Sequence, residues 1–345
     1  MPPLRALAAS LLLAVTALAP PASAAPAPAG AGPAVECAET DLPVSLGLFS
    51  QTVHGQLCLP AGAAPDTVQL LVHGATYNRR YWDLPVAGGR YSYQRDLARR
   101  GVATFAVDCV GSGDSSQPPS ALITASGQSS VLHQVVGKLR SGHVLGHRFD
   151  RVVLVGHSMG SGLAVLEATS YHDVDGVVLT GFSHSVGVPA VARVLVEGLR
   201  PAVLDPVLSR RGSDPGYLTT APGARRVFHD PGAVDPAVLD ADEATKDQVP
   251  STVVPDALAL AFLSPLSRQI DVPVLLLNGR LDTLFCASLC EDRTQFLDAE
   301  QPFFAPGTPL DAFLLPDAGH THGYALNAAD YRTAVLDWTT AHFGT

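Results

Sequence analysis

Six short apolar runs recur along the chain and indicate a sheet. They are rich in valine and leucine, and each ends at a glycine or an aspartate: 67–74, 102–108, 151–156, 175–181, 272–279 and 311–317. Their apolar positions follow one another without the alternation of a half-exposed strand, which is typical of strands covered on both faces of a parallel sheet. We therefore predict six strands of a mostly parallel sheet.

Helical patterns occupy the intervals between several of these runs. In the segment 129–140, apolar residues recur at the spacing that places them on one face of a helix. These residues are Val131, Leu132, Val135, Val136 and Leu139. Similar patterns cover 92–101, 161–170 and 324–343. Alternating strands and helices over this length predict an α/β fold with a doubly wound, mostly parallel sheet.

The interval 186–268 interrupts this alternation. It contains many prolines, short helical patterns at 191–200 and 256–264, and no convincing strand. A structureless loop of this length is improbable in a compact domain. The sequence therefore predicts a helical cap insertion over one end of the sheet, with 25–185 and 269–345 forming the core.

The first 24 residues have the layout of a secretory signal peptide. Arg5 precedes a leucine- and alanine-rich run that ends at residue 19, and Ala22-Ser23-Ala24 forms a small-x-small cleavage site. The apolar run is shorter than a membrane-spanning helix requires. We predict that residues 1–24 are removed and that the mature protein is secreted, with an uncleaved N-terminal anchor as the alternative.

Composition bounds the size of the fold and narrows its partners. The chain has 345 residues, of which 47% are hydrophobic, which is sufficient for the core of one large domain. The formal net charge of −10 argues against nucleic acid or an anionic membrane surface as the main partner.

Five cysteines fit an oxidising compartment. We predict disulfides between Cys37 and Cys58 and between Cys286 and Cys290. The second pair is four residues apart, and residues at that spacing on a helical turn lie within bridging distance. Cys109 then remains as a small buried apolar residue. No C-x-x-C or H-E-x-x-H spacing occurs, so no metal site is predicted.

The pentapeptide Gly-His-Ser-Met-Gly, residues 156–160, directly follows the third apolar run. A serine in a G-x-S-x-G turn between a strand and a helix is a candidate nucleophile, which here is Ser158. In a chain with 31 glycines such a match also arises by chance, and a serine that caps the following helix is the alternative. The assignment therefore depends on partners elsewhere in the chain.

Those partners follow other predicted strands. His73-Gly74 ends the first run, Asp282 follows the fifth, and His320 lies between the sixth run and the last helix. This order of motifs resembles the α/β-hydrolase superfamily over nearly all of the mature chain. The resemblance implies a catalytic triad of Ser158, Asp282 and His320, with His322 as the rival of His320 for the base.

The resemblance also implies an oxyanion hole. Its expected donors are the backbone N–H groups of Ala75 and Met159. His73 is expected to brace the loop that carries Ala75. His157 is expected to point away from the site as a packing residue. The turn 108–116 resembles the D-x-x-G-x-G-x-S turn of the superfamily, and we interpret it as structural.

Small residues around the candidate nucleophile fit the same resemblance. Gly156, Gly160 and Gly162 are expected to leave room for the tight turn that carries Ser158. The loop after the fourth run, which is the alternative position for the acid, contains no carboxylate.

The resemblance implies a serine hydrolase that cleaves carboxylic esters through an acyl-enzyme and needs no cofactor. The valine, leucine, alanine and proline content of the insertion suggests a hydrophobic small-molecule or lipid ester as substrate. A lactonase, thioesterase, C–C hydrolase, or amidase or peptidase would use the same triad. Ala75-Thr76-Tyr77 stands where proline iminopeptidase relatives carry Gly-Gly-Pro, which disfavours a peptidase. A binding protein that has lost catalysis would lack a triad member, and none is missing.

Overall fold

An eight-stranded sheet forms the centre of the structure. The computed structural model describes residues 34–262, 265–286 and 289–344. In this part of the chain the strands are β1 (Val35–Leu46), β2 (Phe49–Pro60), β3 (Thr67–Val72), β4 (Ala103–Val107), β5 (Arg151–His157), β6 (Gly176–Thr180), β7 (Leu199–Pro201), β8 (Tyr217–Thr220), β9 (Val249–Pro250), β10 (Val274–Gly279) and β11 (Leu310–Leu315). The helices are α1 (Tyr93–Arg99), α2 (Ala125–Ser141), α3 (Met159–Tyr171), α4 (Val188–Arg193), α5 (Pro236–Ala244), α6 (Val253–Phe262), α7 (Arg293–Glu300) and α8 (Ala328–Phe343). The predicted signal peptide, residues 1–24, lies outside the described residues.

The sheet is parallel over most of its width. Its order is β1-β2-β4-β3-β5-β6-β10-β11, and the strands from β4 to β11 pair in parallel. All six predicted strands are present, which confirms the doubly wound, mostly parallel α/β fold. The antiparallel hairpin β1-β2 at the edge is not predicted by the apolar runs. Positions 42–46 of β1 alternate between buried and exposed, so the strand contains no unbroken apolar segment.

The central strands are buried and mostly apolar because both faces of the sheet are covered. In β5, Val152 and Leu154 belong to the core that includes residues of α2 and α3. Val153 and Val155 point to the opposite face and belong to the core that includes residues of α1 and α8. Successive side chains of a strand alternate between faces, so a strand between two helical layers reads as a continuous apolar run.

The register of the parallel strands brings several loops together at one edge. Val72 pairs with Gly156, His157 with Thr180, and Gly279 with Leu315. The chain therefore leaves β3, β5, β10 and β11 on the same side of the sheet. In open α/β sheets, ligands bind at this carboxyl edge of the strands.

The chain between β6 and β10 contains the cap segment, residues 186–268. It carries α4, α5 and α6, together with a three-stranded antiparallel sheet in the order β7-β8-β9. The expectation that this interval contains no strand is wrong. These strands have three, four and two residues, which is too short to produce a periodic pattern in the sequence. The first helical pattern is also divided, because α4 continues as a π-helix over Val194–Gly198.

The cysteines pair as predicted. Cys37 and Cys58 form a disulfide across the β1-β2 hairpin, with their Cα atoms 4.1 Å apart. Cys286 and Cys290 form a second disulfide after β10, with a Cα–Cα distance of 5.3 Å. Cys109 is unpaired and buried. Among the described helices, none combines the length and the apolar composition needed to cross a bilayer.

Candidate active site

Ser158 occupies a strained turn between β5 and α3. Its backbone has φ of +53° and ψ of −118°, a left-handed conformation that costs free energy for a residue other than glycine. A Cβ atom at Gly156 would lie 2.4 Å from the carbonyl oxygen of Gly160. A Cβ atom at Gly160 would lie 2.4 Å from the carbonyl oxygen of Val72. The two glycines therefore permit the turn, as expected.

The side chain of Ser158 does not cap α3. Ser158 is the residue that precedes the helix, yet its hydroxyl makes no capping hydrogen bond. The backbone holds the turn in place, because the Ser158 N–H donates to the carbonyl oxygen of Thr180 at 2.8 Å. The hydroxyl lines an apolar cavity. The capping interpretation of this serine is therefore wrong.

Gly162 has a different role from the one expected. It lies one turn into α3, and a Cβ atom there would lie 3.2 Å from the carbonyl oxygen of Ala257 in α6. Gly162 also lines the cavity. A glycine at position 162 therefore leaves room for the cap segment, and the turn at Ser158 does not require it.

Asp282 and His320 lie in contact at the carboxyl edge of the sheet. The Nδ1 atom of His320 lies 2.9 Å from Oδ2 of Asp282, and both side chains are buried. Because an ionised carboxylate only accepts hydrogen bonds, Nδ1 carries the proton and Nε2 carries the lone pair. His320 lines the same cavity as Ser158.

The surroundings of Asp282 keep it ionised. Burial opposes ionisation, but the neighbouring His320 and two backbone donors outweigh that effect, so the pKa of Asp282 lies below its usual value. The N–H groups of Leu284 and Phe285 donate to its Oδ1 atom at 2.8 and 3.2 Å. The backbone N–H groups of the following residues thus hold one carboxylate oxygen of Asp282, and the other oxygen faces His320.

Two further histidines pack behind His320. His322 donates its Nδ1 proton to the carbonyl oxygen of His320 at 3.0 Å, and burial, followed by the proximity of His320, lowers its pKa to about 4. The ring of His157 stacks on Tyr81 at 4.4 Å and lies 5.0 Å from the ring of His320. Neither His157 nor His322 lines the cavity. The geometry therefore favours His320 over His322 as the partner of Asp282.

The loop after β3 passes directly beside Ser158. A Cβ atom at Gly74 would lie 3.3 Å from the Cβ atom of Ser158. Ala75 and Met159 both line the cavity. Within the described ranges, neither of their backbone N–H groups donates a hydrogen bond to a protein acceptor. Both donors are thus available to a negatively charged oxygen.

His73 holds the loop after β3 in place through two hydrogen bonds. Its Nδ1–H donates to the carbonyl oxygen of Gly74 at 2.9 Å, and its Nε2 accepts from the backbone N–H of Cys109 at 3.1 Å. These two bonds require a neutral ring. They join the ends of β3 and β4. The turn that follows Cys109 is structural as well, since Arg79 donates to the buried Asp108 carboxylate from its backbone at 2.7 Å and from its guanidinium at 2.6 Å.

Arg225 from the cap segment holds the loop that carries Ala75, a contact that the sequence does not predict. One of its N–H groups donates to the carbonyl oxygen of Thr76 at 3.1 Å, where the backbone has a positive φ of 63°. The guanidinium lies 4.0 Å from the centre of the Tyr77 ring. Asp242 accepts from Arg225 at 2.8 Å and keeps this buried cation paired.

The cap segment also contacts the loop that carries His320. The N–H of Thr321 donates to the carbonyl oxygen of Phe228 at 2.8 Å. A Cβ atom at Gly319 would lie 2.9 Å from the backbone nitrogen of Asp230, so only glycine fits beneath the cap at this position. Gly319 is the one sequence signal that could have indicated this contact.

The cavity is almost entirely apolar. Its volume is about 80 Å³, and its polar lining groups belong mainly to Ser158 and His320. The core contributes Ala75, Tyr77, Ser158, Met159, Gly162, Phe182, Leu284, Phe285 and His320, and the cap segment contributes Val191, Val194, Leu195, Phe228, Val254 and Ala257. Ser158 and His320 therefore face a small, mostly apolar space.

A second serine–histidine–carboxylate arrangement lies away from this cavity. His184 contacts Oε2 of Glu300 through Nδ1 at 2.7 Å and the hydroxyl of Ser267 through Nε2 at 3.1 Å. All three side chains are buried, and the His184 ring stacks on Phe303 at 4.1 Å. None of the three lines the cavity. The arrangement joins the loop after β6 to the end of α7.

A family model described as the alpha/beta hydrolase family matches residues 69–335, well over half of the 345-residue chain. The chain belongs to the alpha/beta hydrolase family. The match includes every residue of the candidate triad and both candidate oxyanion donors. It identifies the protein as a hydrolase by family. No curated protein sequence matches the chain.

Solved structures share the fold at low sequence identity. A thermophilic esterase from Thermogutta terrifontis superposes with a TM-score of 0.56 at 18% identity, covering 88% of this chain and 99% of the esterase. An esterase from Pyrococcus furiosus gives 0.54 at 13% identity, covering 89% and 94%. A serine hydrolase involved in carbazole degradation gives 0.52 at 16% identity, covering 88% and 100%. These likenesses support the fold.

Proposed function

We propose that this protein is a secreted serine hydrolase that cleaves carboxylic esters of compact, apolar acids. The observation that carries the proposal is the arrangement of Ser158 and His320 in one apolar cavity, with Asp282 bonded to the far side of the imidazole. Ser158, Asp282 and His320 are assigned as nucleophile, orienting acid and base. Family membership and the esterases that share the fold favour the same chemistry.

The first step forms an acyl-enzyme. As Oγ of Ser158 attacks the ester carbonyl carbon, Nε2 of His320 takes the hydroxyl proton. The ionised Asp282 stabilises the imidazolium that forms. The N–H groups of Ala75 and Met159 donate to the oxyanion of the tetrahedral intermediate, and one such donor contributes about 3 kcal/mol in the transition state. The bond to the alcohol then breaks, and His320 returns the proton to the leaving oxygen.

The second step regenerates the serine. His320 removes a proton from water as the water attacks the acyl carbon, and then protonates Oγ of Ser158 when the acid leaves. Each proton is returned within the cycle, so no cofactor is needed.

Two features support secretion. The sequence of residues 1–24 matches a signal peptide, and the disulfides Cys37–Cys58 and Cys286–Cys290 persist in oxidising compartments.

A fluorophosphonate probe tests the nucleophile. We expect the probe to form one covalent adduct on Ser158, detected by peptide mass spectrometry, and to leave the Ser158→Ala variant unlabelled. Ser161→Ala is the matched control, because Ser161 lies three residues further along α3 with its hydroxyl bonded to the carbonyl oxygen of Thr180. Equal labelling of wild type and Ser158→Ala would exclude Ser158 as the nucleophile and contradict the proposed function.

The volume of the cavity predicts a preference for short acyl groups. About 80 Å³ is smaller than most ligand pockets, which occupy roughly 300–1,000 Å³. Among p-nitrophenyl esters, we expect kcat/KM to be highest between acetate and butyrate and to fall at least about tenfold at octanoate. Rising values of kcat/KM from butyrate to dodecanoate would contradict a compact acyl site.

Arg225 tests the contribution of the cap segment to the oxyanion loop. We expect Arg225→Met to lower kcat about tenfold or more, since the carbonyl and hydroxyl oxygens of Thr76 lose the guanidinium donor and the N–H of Ala75 is held less firmly in position. The carbonyl of Thr76 keeps one donor, the backbone N–H of Asp247 at 2.8 Å. The substitution removes the guanidinium partner of the buried Asp242 and leaves its contact with Nε2 of His229 at 2.9 Å, so the melting temperature should fall as well.

The matched control for this variant is Arg226→Met, at the next position, where the side chain is exposed. Its kcat and melting temperature should equal those of wild type. An Arg225→Met protein that is folded at the assay temperature and has an unchanged kcat would show that the contact has no role in positioning.

A further inference from the structure

Three potential metal ligands meet on the face of the sheet covered by α2 and α3. They are His133 on α2, Glu167 on α3 and Asp173 in the loop between α3 and β6. One nitrogen or carboxylate oxygen from each lies within 4.8 Å of the corresponding atoms of the other two. None of the three residues lines the cavity at Ser158, so the cluster is separate from the proposed reaction.

Glu167 is the unusual member of this cluster. Its side chain is fully buried, and in the described part of the chain neither of its carboxylate oxygens has a hydrogen-bond partner. The Oδ1 atom of Asp173 lacks a partner as well. Burial, followed by the interaction with Asp173, raises the pKa of Glu167 to about 9. A carboxyl group with this pKa keeps its proton at neutral pH and can donate it to Oδ1 of Asp173, so a metal ion would bind here by displacing that proton and taking its place between the oxygens.

The neighbouring cation does not fill this position. Arg140 donates from Nε and from one terminal nitrogen to the backbone carbonyl of Asp173, at 3.1 and 2.7 Å. It also donates to the carboxylate of Asp175 at 2.6 Å and to the backbone carbonyl of Asp150 at 2.6 Å. The guanidinium therefore fixes the backbone around the cluster and makes no hydrogen bond to Glu167.

We propose that His133, Glu167 and Asp173 bind a divalent transition-metal ion such as Zn²⁺. One imidazole nitrogen and two carboxylates form a ligand set typical of these ions, whereas calcium and magnesium prefer oxygen ligands alone. The side chains of His133 and Asp173 are 42% and 24% exposed, so solvent reaches one side of the cluster and supplies the remaining ligand.

The geometry needs only a local change to bind the ion. His133 Nδ1 now lies 2.7 Å from Oδ2 of Asp173, as a hydrogen-bond donor. With the ring proton on Nε2 instead, Nδ1 presents its lone pair to the metal. The His133 ring is already held by stacking on Tyr171 at 4.0 Å.

The site would tie three elements together. It would join α2, the C-terminal half of α3 and the loop that leads into β6. Because an unfolded chain does not hold these ligands together, the ion would bind the folded state and raise the melting temperature as its concentration rises.

The test measures Zn²⁺ binding to the full, untagged chain after chelation and dialysis. We expect isothermal titration calorimetry to give one saturable site per chain, and ZnCl₂ to raise the melting temperature. The isosteric Glu167→Gln variant should bind Zn²⁺ about 100-fold more weakly or worse. His133→Phe keeps the stacking on Tyr171, removes a ligand and should also lose the site.

A neighbouring histidine provides the matched control. His172 faces Asp271 at 3.3 Å with a similar exposure of 45%, and its backbone has a positive φ of 51°, which asparagine tolerates. His172→Asn should bind Zn²⁺ as wild type does. The proposal is overturned if wild type shows no stoichiometric site, if Glu167→Gln and His133→Phe bind Zn²⁺ with unchanged affinity, or if Ca²⁺ binds more tightly than Zn²⁺.

Discussion

Replacing His320 with asparagine is expected to lower kcat for ester hydrolysis by about 10⁴-fold or more, since loss of the base removes the activation of Ser158. The Nδ2 group of asparagine can still donate to Asp282, as Nδ1 of His320 does. The substitution therefore removes the basic Nε2 atom and keeps a donor to Asp282. Steady-state kinetics with p-nitrophenyl butyrate measure the effect.

His322→Asn is the matched control for this experiment. Its amide can replace the Nδ1 donor that bonds the carbonyl oxygen of His320. His322 has a low pKa of about 4 and does not line the cavity, so we expect kcat to fall by no more than roughly tenfold through small shifts of the loop. If His322→Asn instead lowers kcat by about 10⁴-fold while His320→Asn keeps a nearly normal kcat, His322 is the base and His320 is not.

Asp282→Asn is expected to lower kcat by about 10⁴-fold, although the side chain keeps its size and position. The N–H groups of Leu284 and Phe285 need an acceptor, so they will hold the amide oxygen of asparagine on their side. The NH₂ group then faces His320. A donor facing Nδ1 forces the ring proton onto Nε2, where it blocks proton transfer from Ser158.

The control for this variant is Asp317→Asn. Asp317 is an exposed aspartate with a positive φ of 50°, a conformation that asparagine also adopts. Its kcat should be unchanged. If Asp282→Asn retains more than about a tenth of the wild-type kcat, the orientation of the imidazole does not depend on this carboxylate.

The sequence predicts the parts of the fold whose burial is uniform. β3, β5 and β10 are covered on both faces, so each is buried over nearly its whole length and mostly apolar. The β1-β2 hairpin at the edge buries only part of its surface, and the strands of the cap segment have at most four residues. Neither contains the unbroken apolar run by which the other strands are predicted, although β1 alternates between buried and exposed positions over 42–46.

The candidate site divides in the same way. Ser158, Asp282 and His320 each follow a strand in a short motif, so local sequence indicates all three. Arg225 contacts Thr76 across 149 residues of sequence, and an arginine in a polar stretch gives no sign of such a contact. The prediction that His157 is a packing residue agrees with the structure. Its ring does not line the cavity and lies 5.0 Å from the ring of His320.

Ser267, His184 and Glu300 form the serine–histidine–carboxylate chain of hydrogen bonds that a catalytic triad uses, yet they differ from the candidate triad in one respect. Ser267 is completely buried, so no acyl group reaches its oxygen, which lies 3.1 Å from Nε2 of His184. A serine becomes a nucleophile only where the backbone lifts it to a surface that a substrate can occupy. Within the described residues, the positive φ of Ser158 and its position at the cavity distinguish it from Ser267, and the proposed function depends on both.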